Sequence, residues 1–299
     1  MSDLLVGSDE EANARGARAG PWGAQARGSG VVRLEGSDDE PPEVAAAFDA
    51  LANGEPEAAL TAAARIEDAG ERALVEARAY LDLAMLSAAG GAVERARAAL
   101  GEGDADVVEL EGELALDRWD LEGAERAFAA LASEERDPWI LERLALLADH
   151  RGDAERSHAM MAEAQRLDPS RPEPIRFSEA EFDVVVEEAL ASLAPDFARR
   201  LENVRLVREP VPFRDLTDPT DIAATPPDIL GLFVGPTIHD LAEGSSGELP
   251  PTIYVFQRNL ERMVGSRDEL AEQIRITLFH EIGHLLGLDE DGVAGMGLA

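Results

Sequence analysis

The sequence contains no cysteine and no lysine, and only 5% of its 299 residues are aromatic. Without cysteine, disulfides, thiol nucleophiles, iron–sulfur clusters and cysteine-ligated zinc sites are excluded, so any metal must be bound by histidine and carboxylate side chains. Without lysine, Schiff-base chemistry and the lysine of a phosphate-binding loop are excluded as well. The scarcity of aromatics beside abundant alanine and leucine favours helices over a large β-sandwich.

Positive charge is also scarce. The 27 basic residues, all of them arginine, face 61 acidic residues, which gives a formal net charge of −34. This balance argues against nucleic-acid and anionic-membrane partners, because both are bound through clustered cations. No stretch approaches the roughly 20 apolar residues that span a bilayer, and the N-terminus lacks the basic and apolar segments of a secretory signal. We therefore expect a soluble, cytoplasmic protein that binds neither nucleic acid nor membrane.

Three regions differ in composition. Residues 1–41 are rich in glycine, serine and acidic residues without sustained periodicity, which predicts a disordered tail. Residues 42–172 have alanine and leucine at helical spacing, which predicts an all-helical domain. The segment 169–174 contains three prolines in six residues, so no helix can continue through it and we expect a domain boundary. Residues 175–299 mix helical and strand patterns, and the predicted fold class of the chain is α+β.

Short turns recur along the helical region and indicate an internal repeat. They are Asn53-Gly54-Glu55, Gly90-Gly91-Ala92, Arg118-Trp119-Asp120 and Arg151-Gly152-Asp153. We mark them at Gly54, Gly91, Trp119 and Gly152. The steps between these marks are 37, 28 and 33 residues, close on average to the 34-residue period of helix–turn–helix solenoid repeats.

The third unit, Ala105 to Pro138, is 34 residues long and has Gly112, Ala124 and Phe128 at its positions 8, 20 and 24. The fourth unit, counted from Pro138, has Ala145 at position 8. Small residues at these positions let paired helices approach closely, and these units resemble tetratricopeptide repeats. The resemblance implies a solenoid that recruits a protein partner or presents a substrate.

An ordinary alanine-rich helical bundle is the alternative to a solenoid. In either case the region is suited to recruitment rather than catalysis. Its only histidines are His150 and His158, and we expect both at the surface or in a groove.

Local patterns in the C-terminal region predict a helix followed by three strands. Ser178 and Glu181 have the spacing of a helix N-terminal cap, and we expect that helix to reach Leu193. The predicted strands are Asn203–Val211, Ile229–Val234 and Thr252–Phe256. The strand Thr252–Phe256 follows two prolines, so we expect it at a sheet edge.

A last helix, expected from Asp268 to Leu286, carries His280-Glu281-Ile282-Gly283-His284, a match to H-E-x-x-H. Residues four apart lie one turn along the same helix face, so His280 and His284 can bind one ion. Glu281 is rotated by about 100° and can reach a metal-bound water without displacing a ligand. Zinc is therefore the expected cofactor, and Glu281 is the expected general base for attack on a carbonyl.

The rest of this helix supports a buried site. Its apolar positions are Ile274, Leu278, Ile282 and Leu285. They form a stripe that we expect to be buried. Gly287 is a natural C-terminal cap, and it is followed by the acidic cluster Asp289-Glu290-Asp291.

The region from about Pro174 to Leu298 resembles the small zincin-like metallopeptidases of bacteria. Besides the motif, the resemblance rests on Leu230–Pro236, Leu249–Phe256 and Ile274–Gly287. It implies a small α+β domain, a zinc ion and hydrolysis of peptide bonds. The family pattern is H-E-x-x-H-x-x-G-x-x-D. The chain meets it at His280, Glu281, His284 and Gly287, and has Glu290 in place of the final aspartate.

The resemblance implies that Glu290 is the third protein ligand of the metal. Asp289 and Asp291 remain alternatives, because each stands next to it in the sequence. His239 could also reach the site from its loop. A metzincin would have histidine ten residues after His280, where this chain has Glu290, so that class is excluded.

These patterns predict a zinc-dependent metallopeptidase that acts on a peptide or protein substrate and carries a helical-repeat module for recruitment. In this interpretation Thr252–Phe256 aligns an extended peptide by strand addition. The alternative is a non-catalytic scaffold or adaptor in which the metal site is structural or vestigial. A zinc-dependent cleavage that is lost in Glu281→Gln would distinguish the two.

Overall fold

The structure is a computed structural model that describes residues 41–193, 195–201, 203–216, 225–238, 240, 250–288 and 292. Apart from Pro41, the predicted N-terminal tail lies outside these residues. The described chain consists of a long all-helical part followed by a smaller part with helices and a mixed sheet, which confirms the predicted α+β class. Among the described helices, none has both the length and the apolar character needed to cross a membrane.

The first eight helices of the described chain form four helical hairpins, in which consecutive helices pack against each other. The helices are α1 (Pro42–Ala52), α2 (Pro56–Ala63), α3 (Ala69–Asp82), α4 (Leu86–Leu100), α5 (Ala105–Asp117), α6 (Leu121–Glu134), α7 (Pro138–His150) and α8 (Ala154–Leu167). Each hairpin also packs against the next one, as stacked repeats do. The predicted repeat-like helical region is therefore confirmed.

Aspartate side chains begin most of these helices. Five of them accept backbone N–H groups at a helix N-terminus: Asp68, Asp104, Asp120, Asp137 and Asp153. Each such cap satisfies donors that have no partner within the helix and contributes about 1 kcal/mol. Part of the large acidic content thus serves the fold.

Each hairpin turns at a residue with a left-handed backbone. These residues are Gly54, Ala84, Trp119 and Gly152, with φ between 60° and 74°. The predicted turn at Gly90-Gly91-Ala92 is wrong, because these residues lie inside α4 and the chain turns earlier, at Ala84. The corrected steps are 30, 35 and 33 residues. Gly90 instead leaves room for Arg118, whose guanidinium would lie 2.6 Å from a Cβ at that position.

Small residues bring the helices of the third hairpin together, as predicted. A Cβ at Gly112 on α5 would lie 2.8 Å from the ring of Phe128 on α6. Phe128 and Ala124 are fully buried, and so is Ala145 on α7. A larger side chain at position 112 would therefore separate the two helices.

The C-terminal part contains four helices and three strands with described bounds. They are α9 (Glu179–Ser192), α10 (Pro195–Arg200), β1 (Arg205–Glu209), β2 (Gly231–Val234), β3 (Thr252–Phe256), α11 (Gln257–Arg262) and α12 (Arg267–Leu285), with a single 3-10 turn at Arg214–Leu216. The capping box of Ser178 and Glu181 at the start of α9 is present as predicted.

The three strands form one sheet in the order β1-β3-β2. Strand β3 pairs in parallel with β1 and antiparallel with β2. The predicted edge position of Thr252–Phe256 is therefore wrong, and strand addition cannot occur at this central strand. Pro250 and Pro251 precede the first paired residue, so every N–H from Thr252 onward remains available to the ladder.

Helices α9 and α12 pack on each other, and α12 also packs on β2 and β3. The core between them contains Phe182, Val185, Ile253 and Val255. The predicted apolar stripe of α12 is buried in full: Ile274, Leu278, Ile282 and Leu285 are at most 1% exposed. This packing fixes which faces of α12 point away from the sheet.

Candidate metal centre

Helix α12 brings the two motif imidazoles together. His280 and His284 are half-buried, and their Nε2 atoms lie 3.1 Å apart. Two nitrogen ligands of a tetrahedral zinc, each bound at about 2.0–2.1 Å, are about 3.3 Å apart, close to the 3.1 Å seen here. The ring planes are nearly perpendicular, at 79°. The pair thus has the donor type and the spacing that a zinc ion requires.

The end of α12 orients one of these rings. His284 Nδ1 lies 3.1 Å from the Leu288 carbonyl oxygen, which can only accept, so Nδ1 donates and the lone pair is left on Nε2. Metal-binding histidines are commonly oriented by such a backbone carbonyl. In the neutral imidazole of His284, the lone pair therefore lies on Nε2, the nitrogen that faces His280.

Leu288 is held in place by the cap that Gly287 was predicted to form. Gly287 has φ +83° and donates its N–H to the His284 carbonyl at 2.9 Å, while Leu288 donates to the Gly283 carbonyl at 3.1 Å. This is the hydrogen-bond pattern of a Schellman motif, which favours glycine at the left-handed position. The same glycine thus ends the helix and delivers the carbonyl that orients His284.

Glu281 lies on a different side of α12 and is only 5% exposed. Its carboxylate lies beside Gly231, the first residue of β2: a Cβ at Gly231 would be 3.1 Å from Glu281 Oε1 and 2.6 Å from Thr277 Cγ2. Gly231 was not predicted as a site residue. An isolated glycine inside a strand pattern signals close approach of another group, and that signal could have identified it.

The third ligand cannot be located in the same way. Glu290, its alternatives Asp289 and Asp291, and His239 all lie outside the described residues. Within the part of the chain that the structure describes, no group of three or more histidine and carboxylate side chains is placed to hold a metal ion. The described residues therefore supply two imidazoles and the neighbouring Glu281.

The histidines of the helical part do not join this pair. His158 is exposed, as predicted. His150 is more enclosed than predicted, because its Nε2 donates to the Pro227 carbonyl at 3.0 Å and Trp119 packs edge-on against its ring. Burial lowers the pKa of His150 to about 4, although the hydrogen bond to Pro227 acts in the opposite direction. The imidazole is therefore neutral at neutral pH.

Residues 201–298 match the family model of zincin-like metallopeptidases. The matched segment includes the imidazole pair, Glu281 and Gly231. No curated protein matches the chain.

Proposed function

We propose that the C-terminal region is a zinc-dependent metallopeptidase, with His280, His284 and Glu290 as metal ligands and Glu281 as general base. The observation that carries this proposal is the 3.1 Å distance between the Nε2 atoms of His280 and His284, together with the buried carboxylate of Glu281 between them in the sequence. This arrangement lies within the segment that matches zincin-like metallopeptidases. Without cysteine in the chain, imidazole and carboxylate ligands favour zinc.

When bound, zinc polarises a carbonyl and lowers the pKa of water to about 7. Glu281 accepts the proton of the attacking water at its carboxylate and passes it to the leaving amine. Gly231, which lies against Glu281, limits the positions that this carboxylate can adopt. His280 and His284 are held one helical turn apart by α12, so the site is built on a rigid element.

The sheet suggests where an extended peptide would bind. Among the described strands, β2 lies at the sheet edge and packs against α12. A peptide that adds to the outer edge of β2 would lie alongside the helix that carries the motif. We expect the substrate there, rather than at the central strand β3.

The helical hairpins of residues 42–172 supply the second part of the proposal. Stacked helix pairs present an extended surface to a partner. We propose that they recruit a protein partner or the substrate. The net charge of −34 favours basic segments and predicts weaker binding at high salt.

The full chain tests this proposal through metal content and peptide turnover. We expect about one zinc per chain. His280→Ala should lose the zinc, because it removes one of the three protein ligands of the site. Glu281→Gln should keep the zinc and reduce hydrolysis of a peptide library by about 10²–10⁴-fold, because the amide cannot accept a proton. Glu272→Gln, at an exposed position on the same helix, is the matched control.

Equal turnover by the parent protein and Glu281→Gln would exclude Glu281 as the base. Zinc binding without any zinc-dependent cleavage by the parent would instead favour the scaffold alternative, in which the metal is structural.

A further inference from the structure

Trp119 has an unusual backbone for its size. It occupies the turn between α5 and α6 with φ +61°, the left-handed conformation that is sterically disfavoured for residues with a Cβ. The equivalent turn residues of the other three hairpins are Gly54, Ala84 and Gly152, so this turn requires the left-handed backbone and only the glycines adopt it without that penalty. Such strain persists where the surroundings hold the residue, and it often marks a functional constraint.

The indole of Trp119 is held by the C-terminal part of the chain. Its Nε1–H donates to the Thr225 carbonyl at 3.0 Å, a contact between residues 106 positions apart. Its ring also meets His150 edge-to-face, with 5.8 Å between the ring centroids. Tryptophan at this turn therefore makes a contact that glycine could not make.

Thr225 begins a short segment, residues 225–230, which we call the strap. Two more side chains of the helical part hold it: His150 donates to the Pro227 carbonyl at 3.0 Å, and Arg143 pairs with Asp228 at 3.3 Å. The third and fourth hairpins thus hold the strap at three successive points.

A side chain of α11 holds the strap from the C-terminal part. Asn259, only 2% exposed, donates to the carbonyls of Pro227 and Ile229 at 3.0 and 2.6 Å. Arg262 donates to the amide oxygen of Asn259 and also pairs with Asp149 of α7 at 2.6 Å. The strap is therefore fixed between the helical hairpins and the C-terminal part of the chain.

The strap leads directly into the candidate metal centre. Its last residue, Leu230, is buried and accepts a hydrogen bond from the Phe256 N–H at 2.9 Å. The next residue is Gly231, which lies against Thr277 and Glu281. A shift of the strap would therefore change the fit between β2 and α12.

We propose that Trp119 is a positioning residue for Glu281: it fixes the strap and thereby the position of β2 beside that carboxylate, a role that rests on the proposed function. The helical hairpins then form part of the support of the hydrolytic site, in addition to any role in recruitment. Glu281 acts on the substrate, and Trp119 acts only through the strap.

Trp119→Phe tests this role in the zinc-loaded full chain, because it removes the N–H donor and keeps an aromatic ring. Trp139→Phe is the matched control: Trp139 is buried on α7, its indole N–H has no hydrogen-bond partner among the described residues, and phenylalanine keeps the aromatic face over which Arg143 lies at 4.9 Å. Hydrogen exchange of peptides covering residues 225–236 should become about fivefold faster in Trp119→Phe, the size expected for one lost hydrogen bond. The control should leave it unchanged.

Trp119→Gly separates positioning from a merely structural role. Glycine relieves the left-handed strain but removes the indole contacts to Thr225 and His150, so the melting temperature should change little. Backbone hydrogen exchange of β2 should nevertheless become faster, because the hydrogen bond from the indole to Thr225 is lost. Where hydrolysis is measured, kcat should fall in both Trp119 variants while zinc content and KM stay near those of the parent.

Exchange of residues 231–234 that is no faster in the two Trp119 variants than in Trp139→Phe would overturn the proposal. So would a turnover loss that follows only the melting temperature. If the parent protein cleaves no peptide, the proposed hydrolytic function fails, and the exchange measurement still decides whether Trp119 fixes β2.

Discussion

Adding one methyl group at Gly231 tests the contact between β2 and the motif helix. A Cβ at this position would lie 2.6 Å from Thr277 Cγ2, whereas carbon atoms in contact are normally about 3.5–4.0 Å apart, so one partner must move by about 1 Å. Thr277 is buried, and its hydroxyl donates to the Gln273 carbonyl at 2.9 Å, so rotating it away would break that bond. The strain must therefore be taken up by β2 or by α12.

The expected cost of Gly231→Ala is that of overpacking a core, about 1–3 kcal/mol in the free energy of unfolding. Peptide turnover should fall as well, because the same methyl would lie 3.1 Å from Glu281 Oε1. Zinc content should not change, since the nearest atoms to the added methyl belong to Thr277 and Glu281 rather than to the imidazoles.

Urea denaturation and peptide turnover measure the two effects, with Gly103→Ala as the matched control. Gly103 lies in the turn before α5, and a Cβ there would meet nothing within 4 Å. Adding Thr277→Ser to Gly231→Ala removes the crowding methyl, keeps the hydroxyl and should restore most of the stability. Turnover should stay low, because the contact with Glu281 remains. If Gly231→Ala were as stable and active as Gly103→Ala, β2 would not pack on α12 as described.

The features that local sequence predicts best here are those that depend on neighbouring residues alone. The spacing of His280 and His284 fixes their common helix face, and the left-handed preference of Gly287 fixes the end of α12. The apolar stripe from Ile274 to Leu285 likewise follows from helical periodicity. Each of these features involves residues within a few turns of one helix.

The features that were missed depend on partners distant in the sequence. The strand Thr252–Phe256 is central because β1 and β2 both pair with it, and its local pattern is the same for an edge strand. The turn at Ala84 has no glycine or proline to mark it, whereas Gly90 is placed to accommodate Arg118. The bond from Trp119 to Thr225 spans 106 positions, so no local rule could anticipate it.

Two further predictions concern single residues near the strap and the metal. Burial lowers the pKa of His150 to about 4, below its usual 6.5, so the stability it contributes is present above pH 6.5 and is lost as the pH falls towards 4. Between pH 7 and pH 5, the free energy of unfolding of the parent should therefore fall by about 2 kcal/mol more than that of His150→Phe, as measured by urea denaturation. The comparison is needed because burial raises the pKa of Glu109 to about 7, which shifts stability in the opposite direction. If the difference in unfolding free energy between the parent and His150→Phe were the same at pH 7 and pH 5, His150 would not be buried as described. The last prediction is that Glu290 is the third metal ligand. Removing an outer-shell partner of a metal site costs 10–100-fold in affinity, so Glu290→Ala should weaken zinc binding by about 100-fold or more. Asp289→Ala and Asp291→Ala are the matched controls and should bind zinc nearly as tightly as the parent, since three protein ligands complete a hydrolytic zinc site. Tight zinc binding by Glu290→Ala, together with loss in either aspartate variant, would assign the ligand to that aspartate instead.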